Sequence, residues 1–325
     1  MGGADFHVEG ADDSSRAAAH AHSTAIVVIF YEMEREAPRT LHSLSRSYQV
    51  GVNHHDYQVV AVDNGSPKPL SEDMVATHGD NFRLLRIDDA LPSPVCAMNE
   101  GVRQTDSEFV GLMIDGARIV SPGVLHHVET VAGMYDDPII ATLGFHLGSR
   151  AQQKSTKWNR YSAEVEDALL DEIGWPANGY RLFEISALAG SSSDGWYGPI
   201  SESNCLFMSR TSFDRLGGYD ERFVSAGGGL ANLDLYRRAC ELPGTTLVML
   251  LGEGSFHQVH GGVTTEVSNR LRRRRRARRF DEEYASIRGY DFQRPTVPPV
   301  YLGEVPPEAM KFAKSSAFAD GFLRS

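Results

Sequence analysis

The sequence predicts an α/β protein, a mostly parallel sheet flanked by helices and followed by a C-terminal extension. Short β-branched runs alternate with stretches of helical spacing from residue 24 onward, the pattern of a parallel sheet covered on both faces. The strand candidates end in turn signals, most clearly Asp63-Asn64-Gly65-Ser66-Pro67. Two of those ends carry an aspartate, Asp63 and Asp115. Ligands of open α/β sheets collect at such carboxyl ends.

Residues 1–22 are Gly, Ala, Ser, Asp and His without periodicity, the composition of a disordered tail. Ile26-Val27-Val28-Ile29 reads as the first strand, and Leu41, Leu44 and Tyr48 follow at helical spacing. A second strand over 57–62 runs into the Asp63 turn, and a third covers 82–87. A helix around 97–105 leads to a fourth strand, 109–114, which ends at Asp115. Residues 148–203 are less regular, with Trp158, Trp175, Trp196 and Tyr197 among glycines and polar residues, and helices around 157–173. A strand over 204–209, a helix over 233–242 closed by Pro243-Gly244, and a buried strand over 245–251 come next. After Pro295 the chain is proline-rich, with a short helix about 308–319. This stretch is expected to wrap the domain or to contact another copy, so a homo-oligomer through the extension is one expectation.

The chain of 325 residues suits one large α/β domain or two modest ones. No segment approaches the ~18 consecutive apolar residues of a membrane helix. The N-terminus lacks a basic start followed by an apolar stretch, and Cys96, Cys205 and Cys240 share no metal-like spacing. A cytoplasmic protein in a reducing compartment is expected. The net charge of −11, from 43 acidic and 32 basic residues, argues against a nucleic-acid partner. Arg270, Arg272 to Arg276, Arg278 and Arg279 run against that balance. They suit phosphate, anionic lipid or an acidic partner, or else form a solvated helix face paired with Asp281, Glu282 and Glu283.

Six segments in order resemble the family 2 glycosyltransferases, over roughly residues 23–262. The first strand with Thr40-Leu41-His42-Ser43-Leu44 is similar to the family's first βα unit. Val62-Asp63-Asn64-Gly65-Ser66 resembles its nucleotide-reading segment, and Asn99-Glu100-Gly101 resembles its Asn-x-Gly turn. Ile114-Asp115-Gly116-Ala117, followed by Ser121-Pro122-Gly123, falls where the family carries Asp-x-Asp. Leu216-Gly217-Gly218-Tyr219-Asp220-Glu221-Arg222-Phe223 and Phe256-His257-Gln258-Val259-His260-Gly261-Gly262 resemble two later segments. The resemblance implies a GT-A, Rossmann-like fold over 23–265, with a nucleotide-binding half (23–123) and an acceptor half (124–265). A basic helix and extension then occupy 266–325.

Two departures touch the chemistry. Ala117 stands where the family has its second aspartate, and Ala231-Asn232 stands where it has a Glu-Asp pair, whose aspartate is the usual general base. Asn232 cannot take a proton at neutral pH. Sugar transfer needs a neutralised diphosphate, an in-line acceptor and a base for its hydroxyl. The candidates for donor binding are Phe30, Tyr31, Glu32, Asp63, Asn99, Asp115 and Gly116. Asp115, His257 and His260 are candidate ligands of a divalent cation, Mn²⁺ or Mg²⁺, with imidazole favouring Mn²⁺. Trp196 and Tyr197 are candidates for stacking on an acceptor. Glu202, Asp234 and Asn232 compete for the catalytic place, with Glu202 favoured.

The reaction implied is inverting, metal-assisted transfer of a hexose from a UDP- or dTDP-linked donor to a small-molecule or glycan acceptor. The alternative is a lapsed relative that only binds a nucleotide or scaffolds a partner. A nucleotidyltransferase is disfavoured, because the loop after the first strand, Tyr31-Glu32-Met33-Glu34-Arg35-Glu36, is acidic and lacks glycine.

Overall fold

The computed structural model describes residues 23–52, 57–149, 161–260 and 270–313. Within them a single sheet is built from β1 (Thr24–Phe30), β2 (Tyr57–Asp63), β3 (Phe82–Arg86), β4 (Phe109–Met113), β5 (Arg118–Val120), β6 (Pro138–Leu147), β7 (Ser186–Leu188), β8 (Leu206–Ser209), β9 (Thr246–His257) and β10 (Val300–Gly303). The order is β10-β9-β6-β8-β4-β1-β2-β3, with β5 paired to β9 and β7 to β6. β1 to β4 run parallel, as do β6, β9 and β10. β8 joins the two groups antiparallel to both β4 and β6. A mixed, mostly parallel sheet flanked by helices, the α/β class expected, is therefore what the sequence forms.

The helices are α1 (Ala37–Ser43), α2 (Glu72–Ala76), α3 (Val95–Arg103), α4 (Val124–Met134), α5 (Ala163–Glu172), α6 (Arg210–Arg215), α7 (Ala231–Cys240) and α8 (Arg270–Arg288). Alternate residues of each central strand face opposite layers. Val27, Ile29, Val60 and Val62 meet Met98 and Val102 of α3, while Ile26, Val28, Val59 and Ala61 share a core with Leu41 of α1 and Val128 of α4. Burial on both faces explains why these strands read as unbroken apolar runs. Helix α3 comes unusually close: a Cβ on Gly101 would lie 2.5 Å from Val27 Cγ1. Any other residue there would push the helix off the sheet.

Some elements differ from expectation. The first helix stops at Ser43, and the Tyr48 hydroxyl instead donates to the Val120 carbonyl at 3.0 Å. The strand expected to end at Leu251 continues to His257. Its Gly252-Glu253-Gly254 reads as a turn, yet the sheet absorbs it as an irregularity opposite Ala141 and Leu143, with Gly252 at φ +75°. The proline-rich extension adds β10 to the edge of β9, and Phe312 packs 4.9 Å from Phe145. Residues 1–22, where a disordered tail is expected, Trp158, Gly261-Gly262 and the end of the helix expected over 308–319 lie outside the described residues.

Helix α8 divides along its length. Tyr284 is buried at its C-terminal end, where Glu283 accepts the Val224 and Ser225 amides at 3.1 and 2.9 Å. Arg274, Arg275, Arg278 and Arg279 are exposed, and Arg278 pairs with Glu282 at 2.7 Å. No helix among the described residues is long and apolar enough to cross a membrane.

One carboxylate inside the fold is held with no Arg or Lys bonded to it among the described residues, the His127 imidazole lying 3.8 Å from its Oε1. Glu253, in mid-β9, accepts from the Ser121 hydroxyl, from Tyr180 Oη at 2.8 Å and from the Gly123 amide at 3.2 Å. Burial pushes its pKa up to about 7, against the pull of those donors. The folded carboxyl thus keeps its proton to higher pH than the unfolded one. Its stabilising contribution is complete below the unfolded pKa, ~4.5, and is lost as pH rises through about 7. Glu253→Gln should therefore gain on the wild type by on the order of 1–3 kcal/mol between pH 5 and pH 8. Urea unfolding of both proteins at the two pH values measures this, and a pH-independent difference would count against it.

Candidate active site

The site begins where β1, β2 and β4 end side by side. Phe30 is in register with Asp63, and β4 flanks β1 on its other side. Asp63 is 0% exposed. Its Oδ1 accepts the Ser66 amide at 2.8 Å and its Oδ2 the Leu70 amide at 3.0 Å, with Arg86 Nη1 3.7 Å away. The carboxylate thus builds the turn. That turn then grips its neighbour, since the Glu32 amide donates to Ser66 Oγ at 3.0 Å. Glu32 has φ +51°, a left-handed conformation that costs a residue with a Cβ. Tyr31, 48% exposed, and Glu32 form the open rim of this edge.

Three donor candidates serve the framework. Phe30 is buried, and a Cβ on Gly116 would meet its ring and the Ile29 carbonyl at 2.4 Å. Gly116 is therefore the close contact that lets the Asp115 turn lie over the end of β1. Asn99 spends its amide on the Tyr219 loop: Nδ2 donates to the Tyr219 carbonyl at 2.9 Å and to Glu221 at 3.1 Å, and Oδ1 accepts the Tyr219 amide at 3.0 Å. It is a loop anchor.

Asp115 meets the end of β9. His257 Nε2 lies 3.1 Å from its Oδ2, His260 Nε2 lies 3.7 Å from its Oδ1, and the two imidazole nitrogens are 3.2 Å apart. One ligand atom from each of the three side chains lies within 4.8 Å of the others. Arg118 on β5 stands opposite His257, with Nε 3.2 Å from Asp115 Oδ2. It is 7% exposed, and its Nη1 has no hydrogen-bond partner among the described residues. Burial opposes charge on Asp115, but His257 and Arg118 hold its carboxyl well below the usual carboxylate range. Burial also pushes the His257 imidazole down to about 4. An ionised carboxylate beside a neutral imidazole is the protonation state that a divalent cation requires.

Sequence reading gave no sign of what shapes this turn. Thr40 Oγ1 donates to the Gly116 carbonyl at 2.6 Å, and Gln258 Nε2 donates to Thr40 Oγ1 at 3.2 Å. The Gln258 amide donates to the Ala117 carbonyl at 2.8 Å. Thr40 and Gln258 both lie inside segments that carry the resemblance, but nothing local marks them as partners.

Asn232, at the start of α7, gathers the other half of the site. The Tyr219 hydroxyl donates to its Oδ1 at 2.9 Å, and its Nδ2 donates to Glu202 Oε2 at 2.8 Å. Glu202 is half-buried. Asp234 is brought elsewhere: buried, it takes Arg238 at 2.7 Å and Arg288 at 2.6 Å. Two permanent cations make it an anchor for α8, which corrects its reading as a base. Trp196 is likewise corrected. It is 0% exposed in an aromatic cluster with Phe145 and Phe183, and its indole N–H donates to the Leu250 carbonyl at 3.0 Å. Tyr197 packs on Tyr301 of β10 at 5.7 Å, at the sheet edge.

Residues 25–160 match the family described as Glycosyl transferase family 2. Over that stretch the chain is similar to a family 2 glycosyltransferase domain. Asp63, Asn99 and Asp115 lie inside the matched stretch of that domain, and Glu202, Asn232, His257 and His260 lie beyond it. Comparison with curated protein sequences gives no match. Among solved structures, S. aureus TarS aligns at TM-score 0.49 and 12% identity, covering 73% of this chain and 37% of TarS. Residues 1–349 of TarS with UDP-GlcNAc give 0.49 and 12%, covering 81% of this chain and 66% of that one. Mannosyltransferase PcManGT from Pyrobaculum calidifontis, in complex with GDP-Man and Mn2+, gives 0.48 and 15%, covering 92% and 69%. The chain thus spans 37% of the length of the TarS structure.

The Asp63 turn makes a direct prediction. Asp63→Asn sets an amide N–H₂ against one of two backbone donors, and the cost of leaving a buried donor unpaired is about 1–3 kcal/mol. Denaturant titration should show that loss, and an unchanged midpoint would mean that the carboxylate does not organise the turn.

Proposed function

We propose that the protein transfers a hexose, with inversion, from a UDP- or dTDP-linked donor to an acceptor hydroxyl. The convergence of Asp115, His257 and His260 beside the buried Arg118 is the observation that carries this reading. The three side chains offer carboxylate oxygen and imidazole nitrogen, a donor set that suits Mn²⁺ better than Mg²⁺. A bound cation there supplies positive charge for the donor diphosphate. Arg118 adds a permanent charge at the same edge, with an N–H still to satisfy. Tyr31 and Glu32 at the rim meet the nucleoside, and the preference for a pyrimidine base rests on the resemblance of the Val62 to Ser66 segment.

On the acceptor side, Glu202 takes the hydroxyl proton. The Tyr219 hydroxyl occupies Asn232 Oδ1, so the amide N–H₂ must face Glu202 and orients its carboxylate. Asn232 then stands where the family's base stands, as the holder of a base rather than the base. The same substitution supports a second reading, a protein that binds the donor without turning it over. Incubation with a panel of nucleotide sugars and Mn²⁺ separates the two. Release of nucleoside diphosphate is expected, and none with any donor, with or without acceptor, would favour the lapsed protein.

Two further outcomes follow. Asp115→Ala should weaken Mn²⁺-dependent UDP binding at least about tenfold, and EDTA should do the same to the wild type. Calorimetry decides this, since metal-independent affinity would leave Arg118 as the sole counter-charge. Glu202→Gln should lower turnover by roughly 10²- to 10⁴-fold under saturating donor, with nucleotide affinity unchanged. Wild-type turnover in that variant would remove Glu202 from the chemistry.

A further inference from the structure

The turn that carries both histidines is gripped from outside the site. Val259 lies between them, and both of its peptide groups are bound. Its N–H donates to Glu166 Oε2 at 2.8 Å, and its carbonyl accepts from Arg35 Nη1 at 3.1 Å. Glu166 and Arg35 are themselves paired, with Arg35 Nη2 3.2 Å from Glu166 Oε1. Arg35 also reaches Asp167 at 2.6 Å and the Ala163 carbonyl at 3.0 Å. The Tyr161 hydroxyl donates to Glu166 Oε2 at 3.0 Å.

Glu166 is fully buried, on a helix where only Leu170 is buried with it. Burying a carboxylate is costly unless its partners repay the lost hydration. Its partners offset part of that cost, and one of them is the peptide midway between two candidate metal ligands. The adjacent peptide is fixed as well, because the Gln258 amide donates to the Ala117 carbonyl at 2.8 Å. With both peptides held, the imidazoles of His257 and His260 stay on the same side of the turn, facing Asp115.

We propose that Glu166 is a positioning residue for the divalent-cation site: with Arg35 it fixes the Val259 peptide and so sets the placement of His257 and His260 around Asp115. This rests on the cation reading above. It adds that the site is assembled from four distant segments. The loop after β1 supplies Arg35, α5 supplies Glu166, the turn after β4 supplies Asp115, and the end of β9 supplies the two histidines. The loop that carries Tyr31 and Glu32 is thereby tied to the histidine turn.

Mn²⁺ affinity of the full chain, measured without nucleotide by calorimetry or by the electron-spin signal of free Mn²⁺, tests the role. Glu166→Ala should bind about 10- to 100-fold more weakly, the usual cost of losing a group that orients a ligand. Glu166→Gln should stay within about threefold of wild type, because its amide oxygen still accepts the Val259 N–H. In the metal-free proteins, the His257 and His260 ring resonances should move in Glu166→Ala and hold their wild-type positions in Glu166→Gln. Should the alanine variant not fold, Glu166→Asp keeps the charge but withdraws the acceptor by one methylene, and roughly tenfold weaker binding is expected. A folded Glu166→Ala or Glu166→Asp with wild-type affinity overturns the proposal, as does a Glu166→Gln as weak as alanine. Absence of Mn²⁺ binding by the wild type overturns the cation reading itself, and the positioning role with it.

Discussion

The arrangement at the carboxyl edge depends on how the Asp115 carboxylate is accommodated. It is half-buried, with the Ala117 amide 3.1 Å from Oδ1 and Arg118 and His257 close to Oδ2. A carboxylate in such a place stays ionised only if its surroundings supply comparable positive potential. That demand explains why β5, only three residues long, pairs with β9: it sets Arg118 opposite His257. It also explains the glycine at 116, since the turn can press on β1 only where there is no side chain. Fold and site share this constraint, because the same contacts seat the β4 loop on the sheet and aim the carboxylate.

Much of the fold was legible because its central strands are buried on both faces and flanked by turn residues. The Asp63 and Asp115 ends were found from that alone. β6 offered no such cue: all of its residues are buried, so no alternation marks it, and Thr142, Gly144 and His146 dilute its apolar run. β9 was cut short because Gly-Glu-Gly is a turn in isolation and an irregular stretch of strand once β6 lies beside it. Local sequence cannot say which neighbour will be present.

For the site, residues within one motif were easier to find than the contacts between motifs. Asp115 was named from a strand end and His257 and His260 from the resemblance of their segment, and the three come together. Glu202 and Asn232 were named as rivals, and the structure makes them hydrogen-bonded partners, 30 positions apart. Trp196 was a candidate for stacking on an acceptor, but an indole N–H that finds a strand carbonyl loses its reason to stay at the surface. Asp234 looked available until Arg288, 54 positions on, claimed it. The grip on Val259 spans 93 and 224 positions. No window of sequence holds both ends of such a contact.

The placement of β10 changes what kind of surface the molecule presents to its own copies. β9 is the strand that delivers the histidines, and its outer side over 248–251 is covered by Val300 to Gly303 in parallel register. Left bare, that side would be a row of unpaired N–H and C=O groups, a template for another chain to add to. The extension caps the row with a strand of four residues. A short final strand gives an incoming chain little length to pair with, so the extension shields the sheet from end-to-end growth into aggregates.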